Sequence, residues 1–165
     1  CTLSRGVDRA LRRWAPLVCE AEQRMSTSPA SAAYAVRKAH VPALNLRAGD
    51  RVQRLHVCAD EPEMLLISQS AMSIRFPLEG VPVTGRATGG VKAMALDVGD
   101  AVVFSSPVSA EGEAVVFSDR GYAKRVLLVD FDLPNRHGKG LRVFPFNRNG
   151  PTGSRVAGAL YVREP

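Results

Sequence analysis

The sequence predicts an all-β fold in which four-stranded blades of about fifty residues form a propeller-like array. The first reason is an internal repeat, because residues 51–100 recur without a gap as residues 101–150. The second is that each copy contains four short runs with strand character between turn residues. Four strands per period is the size of a propeller blade. Roughly three copies are fewer than the four to eight blades of a typical propeller, so we expect an open or incomplete ring.

A turn and four strands are predicted in the first full copy. Gly49 and Asp50 form the turn, because glycine tolerates a positive φ and aspartate can bond its own backbone. Strands follow at residues 52–57, 64–67, 73–76 and 91–96, with a long loop at 77–90 before the last. The run at 64–67 is apolar throughout, which is typical of a strand buried on both faces.

The second copy and the end of the sequence follow the same order. Strands are predicted at residues 102–104, 114–117, 123–127 and 141–146, and Gly121 occupies the hairpin turn before the third. A further strand is predicted at 156–162. We therefore interpret residues 1–165 as a single domain, with blades at 51–100 and 101–150 and the first or closing strand of another at 151–165.

Residues 1–50 have two interpretations. Apolar residues at positions 11, 14, 18, 21 and 25 have helical spacing, but Pro16 lies within this pattern and disfavours a continuous helix. In the other interpretation this segment is a degenerate blade, with residues 15–19 in the place of the strand at 64–68 and residues 41–46 in the place of 91–96. The sequence favours the degenerate blade, with a surface loop at 26–33.

Composition excludes several classes of protein. A hydrophobic content of 45% is typical of a folded domain rather than a disordered tail. No apolar run approaches the roughly 18 residues that cross a membrane, and no secretory leader is present, so we expect a cytoplasmic protein with no membrane partner.

Cys1, Cys19 and Cys58 lack the spacing of a zinc site or a disulfide framework, and the three histidines are scattered. We expect reduced thiols, no metal site, no cofactor in this domain and no small-molecule ligand.

Positive charge is concentrated near the end of the second copy. The formal net charge of +6 favours a polyanionic partner, usually nucleic acid. Residues 135–148 contain four cations and no acidic residue. The excess charge is therefore local rather than a property of every copy.

Several stretches resemble the C-terminal domain of a bacterial type IIA topoisomerase A subunit. Residues 64–100 read MLLISQSAMSIRFPLEGVPVTGRATGGVKAMALDVGD and resemble one blade of that domain. Residues 121–125 (GYAKR) and 135–140 (NRHGKG) resemble the next blade. Three short sequences are closer to topoisomerase IV than to gyrase: VPV at 81–83, GVKAM at 90–94 and VAGA at 156–159. Gyrase stays the alternative.

This resemblance implies a β-pinwheel, in which blades exchange strands with their neighbours. It also implies a non-catalytic domain that binds and bends double-stranded DNA and guides the duplex for strand passage. The partners would be the rest of the A subunit together with its ATPase B subunit, in an enzyme that uses ATP and magnesium near the nucleoid. The catalytic tyrosine of that family lies in a separate region. Tyr34, Tyr122 and Tyr161 occur in repeat-like contexts and are expected to be core or surface residues, so this chain alone is not expected to be an enzyme.

Gyrases of this family carry a glycine-rich box with the pattern Gln-Arg-Arg-Gly-Gly-Lys-Gly, which corresponds here to residues 134–140. Four positions agree: Arg136, Gly138, Lys139 and Gly140. The departures at the other three favour a topoisomerase IV-like role, which guides substrate choice, over gyrase-type wrapping of DNA.

The candidate DNA contacts are cations on exposed loops and strands. Bending a duplex without reading its sequence needs cations that follow the phosphates, with close backbone approach between them. The loops at 84–90 and 135–140 fit this requirement. The candidates are Arg86, Lys92, Lys124, Arg125, Arg136, Lys139, Arg142 and Arg148. Arg75 is instead expected to be structural, because its neighbour Phe76 should pack inward. A competing hypothesis is a propeller-like scaffold that binds another protein.

Overall fold

The computed structural model describes residues 15–20, 24–27, 44–49, 52–58, 61–82, 89–131, 137–147 and 150–163. Their regular structure consists of strands and short 3-10 turns, so the predicted all-β class is confirmed. The strands are β1 (Ala15–Glu20), β2 (Arg24–Thr27), β3 (Val52–Cys58), β4 (Glu63–Ser68), β5 (Met72–Pro77), β6 (Val91–Lys92), β7 (Val102–Val108), β8 (Glu113–Ser118), β9 (Ala123–Leu127), β10 (Leu141–Arg142) and β11 (Val156–Val162). The 3-10 turns span Leu78–Gly80 and Leu128–Asp130. The chain divides into a first unit, Cys1–Glu61 with Glu79–Ala93, and a second unit, Pro62–Leu78 with Met94–Pro165.

The first unit contains one antiparallel sheet, in the order β3-β1-β2-β6. β1 covers the segment that was expected to be a strand of the degenerate blade, and β2 follows it as a hairpin partner. The alternative of a helix through positions 18 and 25 is therefore wrong. Residues 41–43, at the start of the segment predicted to replace the strand at 91–96, lie outside the described residues.

The second unit contains two antiparallel sheets, in the orders β10-β5-β4-β7 and β11-β8-β9. The β4–β5 hairpin comes from the 51–100 copy, whereas β7 and β10 on its two sides come from the 101–150 copy. Successive copies therefore exchange strands, as the resemblance implies. The limits of the sequence copies, at residues 50, 100 and 150, do not coincide with the limits of the sheets.

β4 is the most deeply buried strand of the second unit. All six of its residues are buried, and β5 and β7 pair with its two edges. Leu65 and Ile67 belong to a core cluster that also includes Phe104 and Phe144. Because side chains alternate along a strand, Met64 and Leu66 point to the opposite face, where they are also buried. Full burial of an aliphatic side chain stabilises a fold by roughly 1.5–3 kcal/mol. The predicted burial on both faces is confirmed.

The fourth strand of each copy is shorter than predicted. Only Val91–Lys92 and Leu141–Arg142 pair with a sheet, whereas strands were expected at 91–96 and 141–146. After two residues each segment leaves the sheet and buries its next two side chains, Ala93 with Met94 and Val143 with Phe144. Pro145 then follows in the second copy and has no N–H to donate to a ladder. Apolar patterning alone does not distinguish such a segment from a strand.

Gly140 allows β10 to approach β5. Its φ is +76°, and a Cβ at this position would lie 1.8 Å from the carbonyl oxygen of Ser73. No side chain fits that distance, and L-residues also rarely adopt this φ. Gly121, in the β8–β9 turn, has a similar φ of +80°, but a Cβ added there would meet no atom within 4 Å. The corresponding residue in the β4–β5 turn is Ala71, with φ of 64°, so that turn tolerates a side chain.

Arg75 joins the two sheets of the second unit. It lies opposite Leu65 in the ladder, so its guanidinium is on the same face as Glu63, two residues along β4. Arg75 Nε is 3.0 Å from Glu63 Oε2, in ionic contact without the alignment of a hydrogen bond. Arg75 Nη1 donates a hydrogen bond to the carbonyl oxygen of Leu128, in the turn that follows β9. The predicted structural role of Arg75 is confirmed.

The same pair recurs one copy later in a different environment. Arg125 Nε is 3.1 Å from Glu113 Oε2, but the Arg125 side chain is 67% exposed, whereas that of Arg75 is 6% exposed. The same ion pair at the same repeat position therefore contributes differently to the stability of the fold in the two copies. A buried pair is costly to break, whereas an exposed pair contributes little.

Asp119 connects the start of β11 to the β8–β9 hairpin. Its Oδ1 accepts a hydrogen bond from the backbone N–H of Ser154 at 3.0 Å, and its Oδ2 accepts one from the Ser154 hydroxyl at 3.1 Å. Arg155 Nε lies 3.7 Å from Oδ2. These contacts, the Ser154 N–H foremost, hold the pKa of Asp119 below its usual value, against an opposing effect of desolvation.

The first prediction compares two glycines with nearly the same φ. We expect Gly140→Ala to lower the free energy of unfolding by roughly 2–4 kcal/mol, because it adds a clash with Ser73 to the strain of positive φ. Gly121→Ala adds the strain alone and should cost about 1–2 kcal/mol. Urea unfolding followed by circular dichroism measures both. Equal losses in the two variants would contradict the close approach of β10 to β5.

The second prediction concerns the repeated arginine. Arg75→Gln leaves Glu63 buried without its cation, so we expect a loss of about 3–5 kcal/mol in the free energy of unfolding. Arg125→Gln, the matched control, should cost at most about 1 kcal/mol because that pair is largely in water. The same unfolding assay distinguishes them, and a larger loss for Arg125→Gln would overturn the assignment of Arg75 as the buried link.

The third prediction is a pH dependence. The pKa of Asp119 is lower in the folded than in the unfolded chain, so its ionised form stabilises the fold above the unfolded pKa, about 3.9. That stabilisation is lost as the pH falls through the folded pKa. Asp119→Asn should therefore flatten the fall in thermal midpoint below about pH 4. Ser154→Ala keeps the backbone N–H and should retain most of the fall. An unchanged profile in Asp119→Asn would assign the acid sensitivity to other carboxylates.

Candidate nucleic-acid interface

The predicted DNA-contacting cations fall into two groups. Arg86, Arg136 and Arg148 lie outside the described residues. The others are described and exposed: Lys92, Lys124, Arg125, Lys139 and Arg142. Lys92 belongs to β6 in the first unit, whereas the remaining four belong to the second unit.

Lys139 and Arg142 lie at the two ends of a short segment that includes β10, and we call this segment the 139–142 rim. Strand β10 pairs with the start of β5, Arg142 lying opposite Met72 in the ladder. Arg142 Nη1 donates a hydrogen bond to the carbonyl oxygen of Ser70, in the β4–β5 turn, at 3.4 Å. Both cations are exposed, so a phosphate in solution can reach them without any change in the sheet.

Lys139 already has a partner on the protein. Its Nζ is 2.6 Å from Asp97 Oδ1, and the two side chains are 67% and 71% exposed. The backbone joins the same two segments, because the Ala95 N–H donates to the carbonyl oxygen of Gly138 at 2.9 Å. The electrostatic potential at Lys139 is therefore partly cancelled by a neighbouring carboxylate.

A second carboxylate beside the 139–142 rim has a structural role. Asp100 Oδ1 accepts hydrogen bonds from the backbone N–H groups of Ser70, at 3.0 Å, and Ala101, at 2.9 Å. These bonds hold the β4–β5 turn against the residue that precedes β7. Among the described residues, Arg142 forms no ion pair with either aspartate. Arg142 is thus the less compensated cation of the rim.

Lys124 and Arg125 point to opposite faces of their sheet. They are consecutive on β9, and side chains alternate along a strand. Arg125 lies on the face of Glu113 and is paired with it, whereas Lys124 forms no ion pair with any residue the structure describes. The two cations therefore do not form a single basic surface, although the sequence places them side by side.

Asp97 is the residue that sequence reasoning missed at this site. It is 42 positions from Lys139 and belongs to another copy, so no local pattern links the two. A comparison of the copies does give a weak signal. Position 97 corresponds to Arg47 and Asn147, and position 139 corresponds to Gly89. Neither position keeps one residue type across the copies, so the pair of Asp97 and Lys139 is not a feature of the repeat.

Other classes of site find little support in the described part of the chain. Tyr161 Oη donates to the Glu111 carbonyl oxygen at 2.9 Å and lies 2.7 Å from Ser109 Oγ. It therefore holds the connection between β7 and β8 in place. Tyr122 is exposed beside the β8–β9 turn, and Tyr34 lies outside the described residues. No cluster of three potential metal ligands occurs within the described ranges. None of the helical segments described there could cross a membrane.

Most of each full copy of the repeat matches a known family. The family described as DNA gyrase C-terminal domain, beta-propeller, matches residues 62–109 and 112–150. The A subunit of DNA gyrase from Chlamydia pneumoniae is 34% identical over 131 residues, which are 78% of this chain and 15% of that protein. The chain thus spans a small part of this curated relative.

Two solved structures share the fold. The C-terminal domain of DNA topoisomerase IV has a TM-score of 0.82 and 21% identity, over 91% of this chain and 46% of that one. The DNA gyrase A C-terminal domain has a TM-score of 0.78 and 22% identity, over 92% of this chain and 50% of that one. These matches confirm the β-pinwheel expected from the resemblance, whereas the preference for topoisomerase IV over gyrase stays a prediction. Because the family match covers residues 62–109 and 112–150, which are more than half of the chain, the chain belongs to the family of DNA gyrase C-terminal domains, which share their fold with those of topoisomerase IV.

Proposed function

We propose that this chain binds and bends double-stranded DNA without reading its sequence, as a non-catalytic domain of a type IIA topoisomerase A subunit. The observation that carries the proposal is the 139–142 rim, where Lys139 and Arg142 are exposed at the junction of two copies. Arg136 and Arg148 flank this segment in the sequence. Family membership also supports DNA binding, because the relatives are named DNA gyrase and DNA topoisomerase IV and are thus enzymes that act on DNA.

The chemistry of the rim suits phosphates rather than bases. A lysine ammonium and an arginine guanidinium on a surface strand neutralise backbone phosphates and release their counterions. Such contacts fix the position of a duplex but carry no sequence information. Bending follows where cations on successive blades contact phosphates along a curved path. Lys124 is a further exposed candidate contact in the second unit, and Lys92 is one in the first unit.

The role in the whole enzyme follows from this binding. The domain would guide a duplex toward strand passage, which the rest of the A subunit carries out together with the ATPase B subunit, using ATP and magnesium. The cellular site would be the cytoplasm, at the nucleoid. Departures from the gyrase glycine-rich box at residues 134–140 favour guiding over wrapping. A topology assay of the intact A subunit with its B subunit tests this, because decatenation and relaxation support guiding whereas active negative supercoiling supports wrapping.

The fourth prediction tests the rim itself. We expect the double variant Lys139→Gln and Arg142→Gln to bind duplex DNA about tenfold more weakly at low salt. The slope of log affinity against log salt concentration should fall by about 2, one for each phosphate contact removed. Binding is measured by fluorescence anisotropy between about 50 and 200 mM salt.

The matched control for this experiment is Arg163→Gln with Arg54→Gln, which removes the same charge at exposed positions that are not candidate contacts. If the control weakens binding as much as the rim variant, attraction by net charge alone explains the affinity. Binding that is insensitive to salt would reject the proposal and favour a protein-binding scaffold.

A further inference from the structure

The pairing of Lys139 with Asp97 bears on how strongly the rim can hold DNA. The Nζ–Oδ1 distance of 2.6 Å is that of a close ion pair. A carboxylate at this distance takes one of the three N–H donors of the ammonium and partly neutralises its charge. A duplex that contacts Lys139 must therefore displace Asp97 or share the ammonium with it.

The scaffold does not require a carboxylate at position 97. The segments of Asp97 and Lys139 are already joined by the hydrogen bond from Ala95 N–H to the Gly138 carbonyl oxygen. The turn at 97–100 is closed by the Asp100 N–H, which donates to the backbone carbonyl oxygen of residue 97 at 3.0 Å. Neither bond uses the Asp97 side chain. The corresponding residues of the other copies, Arg47 and Asn147, indicate that the repeat accepts a cation or an amide there.

Asp97 differs in this respect from three other carboxylates of the second unit. Asp100 accepts hydrogen bonds from two backbone N–H groups, Asp119 accepts them from Ser154, and Glu63 is in ionic contact with the buried Arg75. The Asp97 carboxylate contacts Lys139 alone, within the part of the chain that the structure describes. Its effect is therefore on the charge of the rim rather than on the fold.

We propose that Asp97 is an internal competitor for the DNA phosphate at Lys139 and thereby sets the affinity of the rim. This inference rests on the proposed function and adds a residue to it. Polyanionic DNA replaces the carboxylate, because an exposed ion pair is weak and because the duplex presents several phosphates at once. The exchange lowers the affinity without blocking the contact. A domain that must release one duplex after each strand passage benefits from such a limit.

The fifth prediction removes the charge and keeps the shape. Asp97→Asn should raise the affinity for a short duplex about fivefold at about 50 mM salt, with the gain shrinking as salt rises. The gain should be absent when Lys139→Gln is already present, since there is then no ammonium to release. Asp130→Asn, at another exposed aspartate of the second unit, removes the same charge and should change affinity much less. Thermal midpoints of all variants are compared first, and we expect no loss for Asp97→Asn because no backbone group depends on that carboxylate.

The outcomes separate this inference from the proposed function. If the unmodified chain shows no salt-dependent affinity for DNA, both fail. If it binds and Lys139→Gln weakens binding, but Asp97→Asn leaves the affinity unchanged, the proposed function stands and only the competitor is rejected. An equal gain from Asp97→Asn and Asp130→Asn, or a gain that persists with Lys139→Gln, likewise rejects it in favour of a general charge effect.

Discussion

The β4–β5 hairpin has both of its outer edges covered by strands of the following copy, and the second unit depends on this exchange. β7 covers β4, and β10 covers β5. Backbone N–H and C=O groups at a strand edge must find partners when they are buried. A copy of about fifty residues therefore cannot complete its own sheet, and the repeat folds as a series. Gly140 permits the pairing of β10 with β5, because the chain there passes too close to Ser73 for any side chain.

The exchange also determines what a repeated residue does. Arg75 and Arg125 each lie on the third strand of a copy, and each pairs with a glutamate twelve positions earlier. Arg75 is buried because the Leu128 turn of the next copy contacts it, whereas Arg125 lies on the edge strand of a three-stranded sheet and stays exposed. Sequence context alone makes the two arginines equivalent. Their neighbours make one a structural link and leave the other at the surface.

Much of the fold could be predicted because strands and turns are local properties. The boundaries of β9 and β11 were predicted to the residue, and β4 was expected to be buried on both faces, since its apolar run and flanking turns fix it. The ends of β6 and β10 were not predicted correctly, because apolar residues that leave a sheet and enter the core have the same sequence pattern as a longer strand. The site was predicted only as a set of cations. Asp97 is remote from Lys139 in sequence, so its effect on that set becomes visible only in three dimensions.

A basic net charge is consequently a poor measure of what this surface offers to DNA. Of the described cations in the second unit that the sequence suggested, Arg125 and Lys139 have carboxylate partners, while Arg142 donates to a backbone carbonyl. In the proposed complex with DNA, the carboxylates beside Arg125 and Lys139 would have to be exchanged or shared when a phosphate arrives, so the affinity at these two cations would be a difference between two ionic contacts rather than a sum of charges. Positions shared by the copies build the sheets, as Glu63 with Arg75 and Glu113 with Arg125 show. The pair of Asp97 and Lys139 has no counterpart at the matching positions 47 and 89, and in the proposed competition it would adjust the charge of the rim without altering the scaffold.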